Sequence, residues 1–157
     1  MSKQVRILVV DDDEDIRRSL TAILDGEGYV VDTAKNGKEA IEKSNGRCYN
    51  LALIDVQLPD MEGTHLLTAM KDTSPRMVKI IVTGHPDLEN AIDAVNQDAD
   101  AYITKPFSVD TLLNKIKDHL KKQEETQKYD EEKVADFIEM RLRDWDEKRT
   151  APRKKSS

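Results

Sequence analysis

The chain has 157 residues, of which 38% are hydrophobic and 36% charged, so it is long enough for one domain with its own core and an additional segment. The single cysteine, Cys48, excludes an internal disulfide, and no apolar run approaches the roughly 20 residues of a membrane-spanning helix, so we expect a soluble, cytoplasmic protein. Residues 121–157 contain 11 basic and 10 acidic residues and are net +1, so the first 120 residues are net −7, which disfavours their direct contact with nucleic acid.

Short apolar runs that end in polar or charged residues predict five strands. Leu51–Asp55 consists of apolar residues followed by a carboxylate, which is typical of a strand buried on both faces of a parallel sheet. The other strands are predicted at residues 5–10, 29–33, 78–82 and 100–103.

Helical periodicity separates these strands. Ile16 and Leu20 have the spacing of a buried helical face, and Gly28 follows their helix as C-terminal glycines commonly do. Helices are predicted at residues 14–27, 36–45, 64–72 and 87–96, and a fifth after residue 108. Strands that alternate with helices in this way predict an α/β fold, with a doubly wound parallel sheet covered by helices on both faces.

The sequence changes character after about residue 120. Lys121–Lys128 is polar and has no apolar face, and Asp130 then resembles the N-cap of a new helix that reaches about Lys148. The apolar side of this amphipathic helix contains Val134, Ile138, Leu142 and Trp145. We therefore predict a domain at 1–122, a helical extension at 123–149 and a basic, disordered tail at 150–157.

Chemically active residues follow four of the predicted strands. Asp11 and Asp12 follow the first, Asp55 ends the third, Thr83 follows the fourth, and Lys105 follows the fifth. Ligands in open α/β sheets bind beyond the carboxyl ends of the strands. Each residue alone has an ordinary explanation as part of a solvated loop or as a cap, but together they form a complete set for phosphoryl chemistry.

The charges of this set indicate the chemistry. Three neighbouring carboxylates repel one another unless a cation shares them, and oxygen ligands with space for water suit Mg²⁺. A carboxylate beside such a cation can attack phosphorus and form an acyl phosphate. Asp55 is the predicted nucleophile, and the Lys105 ammonium and the Thr83 hydroxyl would stabilise charge on the phosphoryl oxygens.

Five motifs in this order resemble the receiver domain of two-component response regulators. They are Ile7–Asp13, Leu53–Asp55, Leu58–Gly63, Val82–His85 and Ala101–Phe107. The resemblance covers roughly residues 4–122 and is highly specific. It implies the flavodoxin-like form of the α/β fold and a phosphoprotein of signal transduction that receives its phosphoryl group from a histidine kinase.

The resemblance also implies the roles of single residues. Asp55 would be the phosphoacceptor. Asp11 and Asp12 would bind Mg²⁺ together with Asp55 and the backbone carbonyl of Gln57.

Three further positions take roles from the same resemblance. Lys105 would contact the phosphoryl group, and its bond to Pro106 is expected to be cis. Thr83 and Tyr102 would form a switch, in which Thr83 moves toward the phosphoryl group and the Tyr102 ring rotates inward.

Two positions depart from the family pattern. Asp98–Ala99 replaces the usual Gly-Ala before the fifth strand, in a turn that Asp tolerates. Gln57 replaces a common apolar residue, and its side chain is expected to position water and to shorten the lifetime of the phosphoryl group.

An enzymatic alternative rests on Asp11-x-Asp13, which also resembles the nucleophile motif of haloacid-dehalogenase-like phosphatases. That motif continues with Thr or Val where this chain has Asp15, and the chain lacks room for a cap domain. We therefore expect a phosphoacceptor rather than an enzyme. The histidines at 65, 85 and 119 have no metal-ligand spacing.

The extension leaves the output open, because about 35 residues are too few for a separate output domain with its own core. Its helix would extend the fifth helix or fold back on the receiver. It would pair with its copy in a dimer, dock on a protein partner, or contact nucleic acid through basic residues. Those residues are Lys148, Arg149, Arg153, Lys154 and Lys155.

Phosphorylation is expected to change the surface formed by the fourth helix, the fifth strand and the fifth helix of the domain, and with it tail docking or dimerisation. A transcription regulator or adaptor that acts through the tail is one alternative function. A phosphorelay or phosphate-sink intermediate is another.

Overall fold

The structure is a computed structural model that describes residues 4–70, 76–84 and 99–150, without the side chains of residues 64 and 147–150. The helix predicted at 87–96 lies outside the described residues. So do His85, Asp98, the end of the helix predicted at 64–72, and nearly all of the predicted tail.

Five strands form one sheet in the described part of the chain. They are β1 Arg6–Val10, β2 Val30–Ala34, β3 Leu51–Asp55, β4 Val78–Thr83 and β5 Ala101–Thr104. All four pairings are parallel, and the strand order is β2-β1-β3-β4-β5. This order is that of the flavodoxin-like doubly wound fold, so the predicted fold class is confirmed.

Four helices are described, and each of the first two begins at a side-chain cap. They are α1 Glu14–Gly26, α2 Gly37–Gly46, α3 Gly63–Ala69 and α4 Val109–Thr150. The Asp13 carboxylate accepts hydrogen bonds from the first turn of α1, and the Asn36 side chain accepts one from Glu39 N in α2. Gly28, at φ +90°, follows the end of α1 in a conformation that favours glycine. Each of these four helices begins within one residue of its predicted position.

The sheet separates two apolar layers because successive strand residues point to opposite faces. Leu8, Ile54 and Ile81 belong to the layer that includes residues of α2 and α3. Leu53 and Ile80 belong to the other layer, which includes residues of α1 and the first turns of α4. Burial on both faces explains why β3 and β4 are nearly uninterrupted apolar runs.

The C-terminal helix differs from its prediction. We expected a new helix from Asp130, with extension of the fifth helix as an alternative, and α4 is one helix from Val109 to Thr150. The segment Lys121–Lys128 lacks an apolar face, yet it consists of good helix formers and contains neither Gly nor Pro, so nothing in it ends the helix. Asp130 is therefore an interior residue and not an N-cap.

The chain divides into two compact units, Met1–Gln123 and Glu124–Ser157. In the first unit, the Gln123 side chain donates hydrogen bonds to the backbone carbonyls of Asn50 and Arg76, at 2.9 and 2.7 Å. These bonds tie the last residue of the unit to the amino-terminal ends of β3 and β4. Among the described residues, none of the helices has the length and apolar composition needed to cross a bilayer.

Candidate functional site

Three carboxylates converge beyond the carboxyl ends of β1 and β3. Those strands are neighbours, with Val10 opposite Ile54, so the loop after β1 lies beside Asp55. Carboxylate oxygens of Asp11, Asp12 and Asp55 lie within 4.8 Å of one another. Asp11 is buried, Asp55 is half-buried and Asp12 is exposed, so the group opens to solvent on one side. The predicted gathering of these residues is present in the structure.

Backbone amides fix the orientation of two of these carboxylates. Asp13 N donates to Asp11 Oδ1 at 2.9 Å, and Gln57 N donates to Asp55 Oδ1 at 3.1 Å. Each bond occupies one oxygen of its carboxylate. The second oxygen of Asp11 and of Asp55 faces Lys105.

Lys105 supplies the positive charge of the site. Its Nζ lies 3.2 Å from Asp11 Oδ2 and 3.5 Å from Asp55 Oδ2. Partial burial lowers the pKa of Lys105, but the carboxylates of Asp55 and Asp11 raise it more, so the net shift is upward. The side chain is therefore an ammonium at neutral pH. Its backbone N donates to Thr83 O at 2.6 Å, and the bond to Pro106 is cis, as expected.

These groups border a cavity of about 360 Å³. It is lined by Asp12, Asp55, Gln57, Leu58, Pro59, Gly84 and Lys105. Carboxylate and carbonyl oxygens beside open space are the donors that Mg²⁺ prefers, because it keeps several waters. The residues present therefore fit Mg²⁺ bound by Asp11, Asp12 and Asp55, with room for a phosphoryl group.

Neither of the two predicted switch residues is among the described residues that line this cavity. Thr83 ends β4 and is buried, with 1% of its surface exposed. Tyr102 lies on β5 and is 38% exposed. Lys115 Nζ donates to Tyr102 O at 2.7 Å and lies 5.5 Å from the centre of the ring. The Tyr102 ring therefore has an outward position, beside a second cavity of about 510 Å³.

Asp60 has a positioning role that the sequence did not reveal. Its two carboxylate oxygens accept hydrogen bonds from Gly37 N and Lys38 N, each at 2.9 Å. These bonds join the loop after Asp55 to the N-terminus of α2, where a negative charge is favourable. The partners are 22 and 23 residues apart, and no local pattern predicts a contact at that separation.

The Asp60 interaction predicts a pH-dependent contribution to stability. The Gly37 and Lys38 amides lower the pKa of Asp60. The stabilisation should therefore be present above the ordinary carboxyl pKa of about 4 and be lost as pH falls through the lower pKa of the folded protein. Urea unfolding of wild type and Asp60→Asn should show a difference in stability that shrinks below about pH 4. A difference that stays constant down to pH 3 would contradict this role.

Solved receiver structures resemble this chain in sequence and fold. A CheY-like receiver domain from Methanospirillum hungatei JF-1 is 48% identical, with a TM-score of 0.72 over 79% of this chain and 99% of that one. The response regulator TrrA of Thermotoga maritima in complex with Mg²⁺-BeF is 34% identical, with a TM-score of 0.67 over 74% and 99%. The beryllofluoride-activated NtrC4 receiver domain dimer is 40% identical, with a TM-score of 0.68 over 75% and 98%.

Curated relatives are longer than this chain. The DNA-binding transcriptional regulator NtrC of Escherichia coli (strain K12) is 35% identical over 122 residues, which are 76% of this chain and 26% of NtrC. The chain thus spans about a quarter of the length of that relative. Residues 7–117 match the response regulator receiver domain, and the converging carboxylates and Lys105 lie within that range. The chain therefore belongs to the response regulator receiver domain family.

Proposed function

We propose that this receiver accepts a phosphoryl group from a histidine kinase on Asp55 and thereby changes a protein-interaction surface. The observation that carries the proposal is the placement of Asp55 beside Asp11, Asp12 and the Lys105 ammonium, at the rim of one cavity. A carboxylate oxygen of Asp55 attacks phosphorus while the phosphorus–nitrogen bond of a phosphohistidine breaks, and the electron pair of that bond goes to the imidazole nitrogen.

The neighbouring residues have complementary tasks. Asp11, Asp12, Asp55 and the Gln57 carbonyl would hold Mg²⁺, which supplies positive charge against the phosphoryl oxygens when bound. The Lys105 ammonium, which lies beside Oδ2 of Asp11 and Oδ2 of Asp55, contributes a second positive charge. The Mg²⁺-BeF complex of the similar receiver TrrA supports this assignment. The protein acts as a phosphoacceptor, and its chemistry is limited to its own phosphorylation and slow dephosphorylation.

The signal would leave the site through Thr83 and Tyr102. Thr83 ends β4 and moves toward the phosphoryl group, and Tyr102 on the neighbouring strand turns inward, away from Lys115. This motion is a shift between existing conformations, and it changes the exposed face that β5 and the beginning of α4 form. The similar NtrC4 receiver is a dimer when activated by beryllofluoride, which supports homodimerisation as an output.

Localisation of the phosphoryl group tests the proposal. The protein is incubated with Mg²⁺ and acetyl phosphate, reduced with borohydride, and digested for mass spectrometry. Acyl phosphates are reduced to the alcohol, so Asp55 should appear as homoserine. Asp55→Asn should incorporate no phosphoryl group. Modification at another residue, or none in the wild type, would refute the assignment.

Gln57 is predicted to limit the lifetime of the phosphoryl group. It lines the cavity beside Asp55 and Lys105, where its amide can orient a water molecule for attack. Gln57→Met should therefore slow dephosphorylation by several-fold, measured as loss of label from the isolated phosphoprotein. Gln57→Asn, which keeps the amide on a shorter side chain, serves as the matched comparison. An unchanged rate in Gln57→Met would exclude this role.

A second candidate function is transcriptional regulation. It is favoured by the similarity to NtrC, a DNA-binding transcriptional regulator, and by the basic residues at 148–155. Binding through those residues would be strongly salt-dependent. Removal of the chain after Thr150 should then abolish the salt-dependent DNA binding of the full chain. If the output is a protein interaction instead, the full chain should not bind DNA at all.

A further inference from the structure

The second unit of the chain carries an exposed apolar face on α4. The face consists of Val134, Phe137, Ile138, Leu142 and Trp145, each between 51% and 58% exposed. Their spacing of three and four residues places them on one side of the helix. We call these five residues the apolar stripe. A contiguous apolar surface on a soluble chain commonly marks an interaction site.

We propose that the apolar stripe pairs in an antiparallel orientation with the same stripe of a second copy of this chain. The stripe is centred between Ile138 and Arg141, so an antiparallel pair places Val134 of each copy against Trp145 of the other. Ile138 of each copy then lies against Arg141 of the other. Phe137 and Leu142 flank these layers and complete the apolar surface.

The charge distribution along the sequence favours a second copy in this orientation. Asp130 and Glu131 lie near the beginning of the second unit, and Lys148 and Arg149 lie near the end of α4. An antiparallel pair with this centre brings Asp130 and Glu131 of each copy opposite Arg149 and Lys148 of the other. A parallel pair would bring like charges together, which is unfavourable.

Arg141 gives a second reason for the antiparallel orientation. It lies on the same side of the helix as the stripe, between Ile138 and Leu142, and its guanidinium is 5.3 Å from the centre of the Phe137 ring. A parallel pair would place Arg141 against Arg141 of the other copy in the middle of the apolar contact, where two close cations are costly. The antiparallel pair separates the two guanidinium groups and places each beside the apolar side chain of Ile138 of the other copy.

The pairing goes beyond the proposed function because it needs no phosphoryl group on Asp55. Five apolar side chains per copy form a small interface, below the roughly 1,200 Å² of standard stable complexes. We therefore expect weak, reversible pairing with a Kd of the order of 10–100 µM. Because opposite charges border the contact, pairing should weaken as salt concentration increases.

Cysteine crosslinking in the full chain tests the orientation. All variants carry Cys48→Ser, because Cys48 is exposed. Ile138→Cys protein is mixed with Arg141→Cys protein that carries a mass tag, and the mixture is oxidised without a phosphodonor. The antiparallel pair predicts that the mixed disulfide is the main product. Arg143→Cys, on the opposite side of the helix, reports the background of random collisions.

A predominant disulfide between two Ile138→Cys chains would overturn the orientation, because that product requires a parallel pair. Sedimentation equilibrium of the unmodified chain supplies an independent result. We expect a dimer that is weakened at least several-fold by 0.5 M salt, retained in Asp55→Asn, and lost in Ile138→Asp. A chain that stays monomeric at several times the expected Kd would overturn the pairing itself, and would leave the assignment of Asp55 untouched.

Discussion

Replacement of Lys105 by Met is expected to slow phosphorylation of Asp55 by roughly two orders of magnitude, the usual effect of removing one preorganised donor from a transition state. Lys105 Nζ lies 3.5 Å from Asp55 Oδ2 and 3.2 Å from Asp11 Oδ2. A phosphoryl group on Asp55 would come within reach of the same ammonium. The rate is measured with acetyl phosphate at saturating Mg²⁺.

The same variant is expected to bind Mg²⁺ more tightly. In the structure, the Lys105 ammonium offsets part of the negative charge of Asp11 and Asp55, the carboxylates that would bind the metal. Without the ammonium, their mutual repulsion is relieved only by the metal, so the affinity measured by titration calorimetry should rise. The phosphorylation rate should fall while the Mg²⁺ affinity rises. General damage to the site would instead lower both.

The matched control for Lys105→Met is Lys117→Met. Lys117 is on α4 and pairs with Glu27 at 3.1 Å, on the exposed surface. This substitution should leave both phosphorylation and Mg²⁺ affinity unchanged. An unchanged phosphorylation rate in Lys105→Met would refute the role given to Lys105.

Substitution of Gly63 by Ala is expected to destabilise the fold by about 2–3 kcal/mol, as overpacking against a fixed neighbour does. A Cβ at Gly63 would lie 2.5 Å from the carbonyl oxygen of Asp55 and 3.0 Å from Val56 Cα. Both atoms belong to the backbone, so neither can rotate away. Gly63 N also donates to Val56 O at 2.7 Å. The displaced backbone is that of Asp55, the proposed phosphoacceptor, so phosphorylation should fall together with stability.

The control for Gly63→Ala is Gly26→Ala. Gly26 ends α1, and a Cβ there would meet nothing within 4 Å, so we expect a change between zero and about 1 kcal/mol of stabilisation. Urea unfolding monitored by circular dichroism measures both variants. Equal free energies of unfolding for Gly63→Ala and Gly26→Ala would show that the backbone around Asp55 adapts to the extra methyl group.

The role of Gly63 illustrates what sequence reasoning misses. From the sequence, Gly63 is simply one of the turn residues after Asp55. Its φ is not positive, unlike that of Gly28, so a local conformational argument does not require glycine. The requirement comes from the close approach of α3 to the end of β3, which exists only after the chain has folded. Asp60 is similar, because its partners Gly37 and Lys38 belong to another helix.

The switch residues and the C-terminal helix show the same limit. The family resemblance implied that Tyr102 turns toward the site, but in the structure its ring is exposed beside Lys115, which α4 brings next to β5. The break expected before Asp130 followed from the loss of an apolar face. The apolar face ends where the helix stops packing against the sheet, but the helix itself continues.

The sequence by itself determined the alternation of strands and helices, the parallel sheet, and the identity of Asp11, Asp12, Asp55 and Lys105 as one group. These features depend on local periodicity and on a general property of parallel sheets, whose strand ends meet at one edge. Only the tertiary structure decided the ion pairs of Lys105, the hydrogen bonds of Asp60 to Gly37 and Lys38, and the backbone contact at Gly63. These contacts join residues distant in sequence, so local patterns could predict none of them. The continuity of α4 is different, because it follows from helix-forming residues without Gly or Pro, a local signal that the pattern of hydrophobicity alone does not show.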